Sequence, residues 1–260
     1  MLIASGFSFW HLIPGVEDSS LFPFAMNADG HAGSYTFISA WLSAFIIIAF
    51  AAAANMGLKR AMARDGLAKF EADESLNART AAEVLVDALR GLMGDLMGKA
   101  DVKTFLPLIV GLFTYIFVSN LQALVPGLQP PTDNINSNLG MAVIVMVTYW
   151  VVGLTRDPKG FVGHILGPVL PLAPLMLIIE LISLVVVRPA SLAVRLTGNI
   201  FGDHTVFTIM SGLTYVVVPV IFLVLATLVS VIQAFVFSLL TTIYISQSLP
   251  HGDHADDSHH

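Results

Sequence analysis

Long apolar runs constrain this chain more than any other feature. A helix that crosses a bilayer needs about 20 consecutive apolar residues. Runs of about that length or longer occupy residues 35–58, 105–125, 138–154, 161–213 and 215–249. Only 12% of the residues are charged and 56% are hydrophobic, whereas soluble domains carry about twice that charged fraction. The expected fold is an all-α integral membrane protein with about five membrane-embedded helices and one interfacial amphipathic helix. The last two runs exceed one perpendicular span, which predicts helices that are long and strongly tilted, or broken. Pro168, Pro171 and Pro174 stand where the first of these runs begins, and Pro189 lies inside it. Each can kink a helix or release backbone groups.

The remaining segments divide by composition. Residues 1–34 are irregular, with Pro14, Gly15, Pro23, Asn27, Gly30 and Gly33 breaking any period. Met1 to Val16 holds no Lys or Arg, so no signal peptide is expected. A membrane domain is expected over residues 35–249, with a charged segment at 59–103. Within that segment Val84, Leu85, Leu89, Leu92, Met93 and Leu96 recur at helical spacing, which predicts a helix in the interface or packed on the spans. Thr80 and Glu83 fit a capping box at its start. Residues 250–260 form a polar tail, HGDHADDSHH, read as solvated rather than metal-binding. There is no cysteine, hence no disulfide framework or thiolate metal site, and neither metal nor cofactor is expected. No internal repeat is visible.

The basic residues predict orientation. Eight of the 12 lie in residues 59–103, two are Arg156 and Lys159, and two, Arg188 and Arg195, are embedded in an apolar run. None lies in residues 1–58 or 126–137. The positive-inside rule then places the N-terminus outside and the C-terminus in the cytoplasm.

Ionisable groups within a span are the default functional signal of a membrane protein. Glu180 and Arg195 stand out. A central Arg costs about 2.5–3.5 kcal/mol on insertion scales, and it cannot escape by losing its proton. Glu180 lies 15 residues before Arg195, roughly 22 Å along a straight helix. Asp203 is eight residues on, too far for a neighbour pair. Arg195 therefore needs a water-filled cavity or a carboxylate on another chain. Ser191, Arg195 and Asn199 share a helix face, and Ala190, Gly198 and Gly202 keep it thin enough for a partner helix. Small residues alone would be ordinary helix packing. Arg188 is read as structural or hydrating. Asn120, Asn199, His204 and Gln233 are singly more often interhelical hydrogen bonds. Together with Glu180, Ser183 and Asp203 they are suited to line water-filled paths on either side of Arg195.

The run RPASLAVRLTGN, with QAFVFSLLTTIYIS, NLQALVP and PTDNIN, resembles subunit a of F-type ATP synthases, from about Phe105 to Ser246. The resemblance implies that Arg195 is the essential arginine facing the carboxylates of a rotor ring of subunit c. It implies that Gln233 is the last helix's glutamine near that arginine, and that Glu180 and Ser183 belong to the cytoplasmic half-channel. His204 falls in the outer half-channel, and Asn199 and Asn120 stand on the proton path. The implied protein is the proton-translocating stator of the F0 sector. Its partners would be the c-ring, subunit b of the peripheral stalk, the rest of F1F0 and membrane lipid, with no nucleic acid. Its location would be a bacterial plasma membrane. It would be non-catalytic toward ATP, and the chain has no GxxxxGK[ST] sequence. Three departures stand out. Ala226 sits where many members have an acid or His, Ala123 where some have an acid, and Asp203 beside His204 is expected to supply the missing carboxylate. Glu180 to Pro189 is one residue longer than usual, which a local bulge would absorb. The alternative is a self-contained secondary transporter or channel using Glu180 and Arg195, though such folds often show two related halves.

Overall fold

The computed structural model describes residues 34–62, 77–125, 128–158, 160–161, 163, 173–213 and 217–249. Among the described residues every regular element is helical. The N-terminal segment, most of the Pro168 to Pro174 region and the histidine-rich tail lie outside them. The helices are α1 (Ser34–Met62), α2 (Ala78–Leu96), α3 (Lys99–Gln122), α4 (Ile135–Arg156), α5 (Ala173–Ile182), α6 (Arg188–Leu213) and α7 (Val217–Gln247). A 3₁₀ turn at Pro131–Asp133 precedes α4, and a π-turn at Ser183–Val187 joins α5 to α6. Among the described residues five stretches are long and apolar enough to span a membrane. The α5–α6 stretch runs 34 residues and the α7 stretch 28. At 1.5 Å per residue both are longer than the roughly 30 Å hydrocarbon core, a length that tilting would accommodate.

The distribution of side chains is that of a protein in lipid. On α1 the rings of Trp41 and Phe45 are 65% and 70% exposed, while Ser39 and Ser43 are fully buried. Ser43 meets Ser119 of α3 at 3.3 Å and accepts from Gln122 Nε2 at 2.9 Å. In lipid there is no hydrophobic drive between helices, so small hydroxyl-bearing residues that allow close approach hold them together. Several threonine hydroxyls along the spans are satisfied within their own helix: Thr114, Thr148, Thr227, Thr241 and Thr242 each donate to the carbonyl four residues earlier. No backbone needs to leave its helix for this.

The core follows the helical period. Val102, Phe105, Ile109, Leu112 and Ile116 of α3 and Met141, Val145 and Val152 of α4 are buried with Leu192, Leu196 and Ile200 of α6 and Ala234, Phe237 and Ile245 of α7. Helix α3 packs on α7, and α4 on α6. The amphipathic α2 buries Leu89 and Met93 in the same cluster, with Asp87, Arg90 and Asp95 exposed. Its end is tied to α7 by Ser246 Oγ, which donates to the Leu96 carbonyl at 2.6 Å.

Two expectations need correction. The capping box does not form. The N-cap is Asn77, whose extended backbone (φ −95°, ψ 159°) starts the helix three residues before Thr80, and Glu83 accepts from Arg79 Nε at 2.6 Å. A cap requires a non-helical residue, and Thr80 is already inside the first turn. The helix of the second span also begins early, at Lys99, with its apolar stretch from Asp101. Charged residues at a helix end do not stop it when they have partners. Asp101 pairs with Arg156, whose guanidinium also lies 5.6 Å from the Phe105 ring centre.

Beyond α4 the chain folds back, and the buried Phe161 ring packs obliquely against Tyr149 and edge-on against Trp150, at 5.4 and 5.6 Å between centroids. That ring sits directly against the Cα of Gly153, where any Cβ would collide with it. Gly153→Val should lower stability by about 1–3 kcal/mol through overpacking, read as a fall in the unfolding midpoint of detergent-purified protein. Gly140→Val, whose added Cβ meets nothing within 4 Å, should leave the midpoint unchanged.

Candidate functional site

The embedded charges lie on the broken helix α5–α6 and divide it into three regions. At its start the π-turn carries the Arg188 N–H to the Ser183 carbonyl, five residues back, rather than to the usual fourth. The turn falls where the long Glu180 to Pro189 spacing predicts a bulge. It turns Glu180 and Arg188 toward each other, and Arg188 Nη2 donates to Glu180 Oε1 at 3.2 Å. Its Nη1 donates to Gln247 Oε1 at 3.3 Å. The guanidinium lies 5.6 Å from the ring centre of Tyr149 and 5.2 Å from that of Tyr244. Arg188 thus ties together the π-turn, α4 and α7. Ser183 is half-buried within the same turn.

The middle region is Arg195. It is exposed, and among the described residues it forms no hydrogen bond or ion pair. Its neighbours on the open face are apolar or small. Val194 and Phe201 are 57% and 66% exposed, and a Cβ on Gly198 or Gly202 would meet nothing within 4 Å. On α7, Leu228, Val231, Ile232 and Phe235 are exposed as well. The opposite face of α6 is spent on the core through Leu192 and Leu196.

One turn beyond Arg195 the polar groups resume. Asn199 Nδ2 donates to Gln233 Oε1 of α7 at 2.5 Å, which brings together two residues singled out from the sequence. Gln233 is buried. A second amide cluster lies at the same end of the bundle. Asn138 Nδ2 donates both to the Thr132 carbonyl and to Thr197 Oγ1, each at 2.7 Å. Thr132 Oγ1 in turn donates to Asn120 Oδ1 at 3.1 Å. Two atoms of this region, Gln233 Nε2 and Asn138 Oδ1, are buried without a protein partner among the described residues. Buried polar atoms rarely stay unpaired, and ordered water is the usual remaining partner.

The structure therefore joins Glu180 to Arg188 and not to Arg195, joins Asn199 to Gln233, and sets Asn120 in a buried amide network. Asp203 is half-buried on α6 and engages a neighbouring group. His204 follows it on the helix, its side chain outside the described part of the structure. No cluster of three metal-ligating side chains occurs among the described residues. The sequence reading missed Asn138, Thr132 and Thr197, and also Tyr149, Tyr244 and Gln247 around Arg188. An amide at the start of an apolar run, as Asn138 is, was the one available signal.

The chain was compared with known proteins. The family model described as ATP synthase A chain matches residues 37–246. ATP synthase subunit a of Sorangium cellulosum is 42% identical over 182 residues, covering 70% of this chain and 71% of that protein. ATP synthase subunit a 1 of Pelobacter propionicus is 38% identical over 223 residues, covering 86% and 89%. The subunit a of Bdellovibrio bacteriovorus is 36% identical over 212 residues, covering 80% and 90%. This polytopic α-helical chain, whose Arg195 forms no ion pair among the described residues and which these proteins match over most of its length, belongs to the ATP synthase subunit a family.

Proposed function

We propose that Arg195 is the residue past which the carboxylates of a rotating ring of subunit c move, and that the polar groups on its two sides line separate water-filled half-channels. Membership of the family makes the chain a proton-translocating subunit of the F0 sector, a multi-pass membrane protein within the F1F0 complex. The finer reading is carried by one observation. A permanent cation stands exposed on an apolar helix face, and among the described residues it forms no ion pair with a carboxylate. The missing counter-charge comes from another chain. The small residues around Arg195 allow that chain's helix to approach closely.

The chemistry follows from solvation. A ring carboxylate facing lipid stays protonated, because a bare anion there is very costly. Within about 4–6 Å of a cation the ionised form is favoured, and the proton leaves into one half-channel. Past Arg195 the carboxylate is reprotonated from the other side. The fixed charge of Arg195 also repels any proton that would leak directly between the two paths. The membrane potential drives the cycle with about 2.3 kcal/mol per charge per 100 mV. No step of ATP chemistry falls to this chain.

Glu180 and Ser183 line the half-channel at the end where Gln247, Arg156 and α2 gather. That end carries the exposed basic residues Arg90, Lys99 and Lys103 and is assigned to the cytoplasm by the positive-inside rule. Asn199, Gln233, Asn120 and Asn138 line the outer half-channel, where buried polar atoms lacking a protein partner call for water. Asp203, with His204, supplies the outer acid that the Ala226 position lacks. Subunit b is expected on the stator side, away from the ring. The self-contained transporter is set aside, since it requires Glu180 to work with Arg195 and Glu180 is bound to Arg188.

Two measurements test this reading. In inverted membrane vesicles containing the assembled complex, Arg195→Ala is expected to lower ATP-driven acidification by at least about 100-fold, the scale of losing a preorganised electrostatic group. Retention of the wild-type rate removes Arg195 from the mechanism. Asp203→Asn is expected to slow proton conduction through F0 stripped of F1 by at least about tenfold, as loss of a proton-transfer group does. Conduction at the wild-type rate shows that the outer half-channel works without this acid.

A further inference from the structure

We propose that Arg188 is a positioning residue of the proton path: its clamp fixes the carboxylate of Glu180 in the wall of the half-channel that ends at Arg195. The proposal rests on the reading of Glu180 as a half-channel residue. It goes beyond that reading by giving a role to a second charge, which its place in an apolar helix alone would mark only as structural.

The geometry is specific to this helix. Residues eight apart on a regular α-helix are rotated from one another by about 80°. The π-turn over Ser183–Val187 takes up one extra residue and cancels most of that offset. Glu180 and Arg188 consequently face the same way, two turns apart, and meet at 3.2 Å. Pro189 is buried immediately after the pair. It lacks a backbone N–H, and a π-turn just before it is one way to accommodate the carbonyl left without that donor.

Arg188 is held from three directions, which an arginine serving only as a counter-ion does not need. Gln247 from the end of α7 accepts its second nitrogen at 3.3 Å. The Tyr149 ring on α4 and the Tyr244 ring on α7 receive the flat guanidinium at 5.6 and 5.2 Å. Cation–π contacts strengthen when desolvated, and a planar guanidinium is suited to stacking and hydrogen bonding at once. These anchors remove the rotational freedom of the side chain, and Glu180 inherits the constraint. A mobile carboxylate at this point would swing toward the half-channel water and lose its fixed place on the route to Arg195.

The experiment measures ATP-driven acidification in vesicles carrying the whole complex, as a rate per assembled complex, for R188Q, R188K, E180Q, E180Q/R188Q and R195A. R188Q is expected to be about tenfold slower than wild type, R188K to recover to within about twofold, and E180Q/R188Q to be no slower than E180Q, because coupled residues do not add. The proposal is overturned by R188Q or E180Q at the wild-type rate. It is equally overturned by a double-variant loss equal to the product of the single losses, which would make Arg188 act independently of Glu180. If R188Q does not assemble, Y244L/Q247A removes two anchors and keeps the ion pair. It must then slow the wild-type background and leave the E180Q background unchanged, and any other pattern overturns the role. R195A separates the two claims. An active R195A sinks the half-channel reading itself, whereas a silent R195A with a fully active R188Q sinks only the role of Arg188.

Discussion

A guanidinium in an apolar helix cannot neutralise itself, and the rest of this structure is arranged around that fact. Two arginines sit seven residues apart on α6, within about 20° of the same line along the helix. Arg188 is compensated by its own chain, through a carboxylate, an amide and two ring faces. Arg195 has none of these among the described residues. The contrast comes from what packs beside each. The ends of α4 and α7 close around Arg188, whereas beside Arg195 the open face offers Val194, Gly198 and Phe201. The same residue type is thus a tie between helices in one place and, two turns on, a charge with no partner among the described residues.

The bilayer also inverts the usual partition of side chains. Serines, threonines and amides lie inside while Trp41, Phe45 and a long series of aliphatic residues lie outside. The buried threonines of α7 close on their own helix, so they add no demand on neighbours. The amides differ. Asn138 and Gln233 each keep an atom that the described chain does not satisfy, and they lie at one end of the bundle beside the Asn199 contact. Polar groups of these two kinds divide the labour. The hydroxyls allow helices to pack closely, and the amides provide sites where water can stand.

Much of the fold was legible in the sequence because hydropathy and helical period are local properties. The spans, the amphipathic α2 and the isolation of Arg195 all follow from the spacing of residues within single segments. The start of α3 was misjudged because the partner of Asp101, Arg156, lies 55 residues away. The capping box failed because two residues at capping spacing do not determine where the preceding chain becomes helical. The Asn138, Thr132 and Thr197 cluster and the cage around Arg188 were not legible at all. Each requires knowing how α4 is rotated against α6 and where α7 ends, and that rotation is set by the packing of whole faces such as Val145 and Val152 against Leu192 and Leu196. Glu180 was legible as a costly charge, yet its partner was found only when the π-turn restored the register.

That register determines how the helix serves two requirements at once. Arg195 must face outward, toward whatever carries its counter-charge, while Leu192, Leu196 and Ile200 face the core. This fixes the rotation of α6 about its axis. Carried back along an unbroken α-helix, the same rotation would turn Glu180 about 80° away from Arg188. Its carboxylate would then leave the angular position where Tyr149 and Gln247 hold the guanidinium. A single extra residue between the two, absorbed as a π-turn, lets α5 be set independently of α6. The outward face around Arg195 and the Glu180 clamp are then satisfied without compromise to either. An added residue in a membrane helix, which would otherwise misalign everything on one side of it, here is what aligns the acid with its cation.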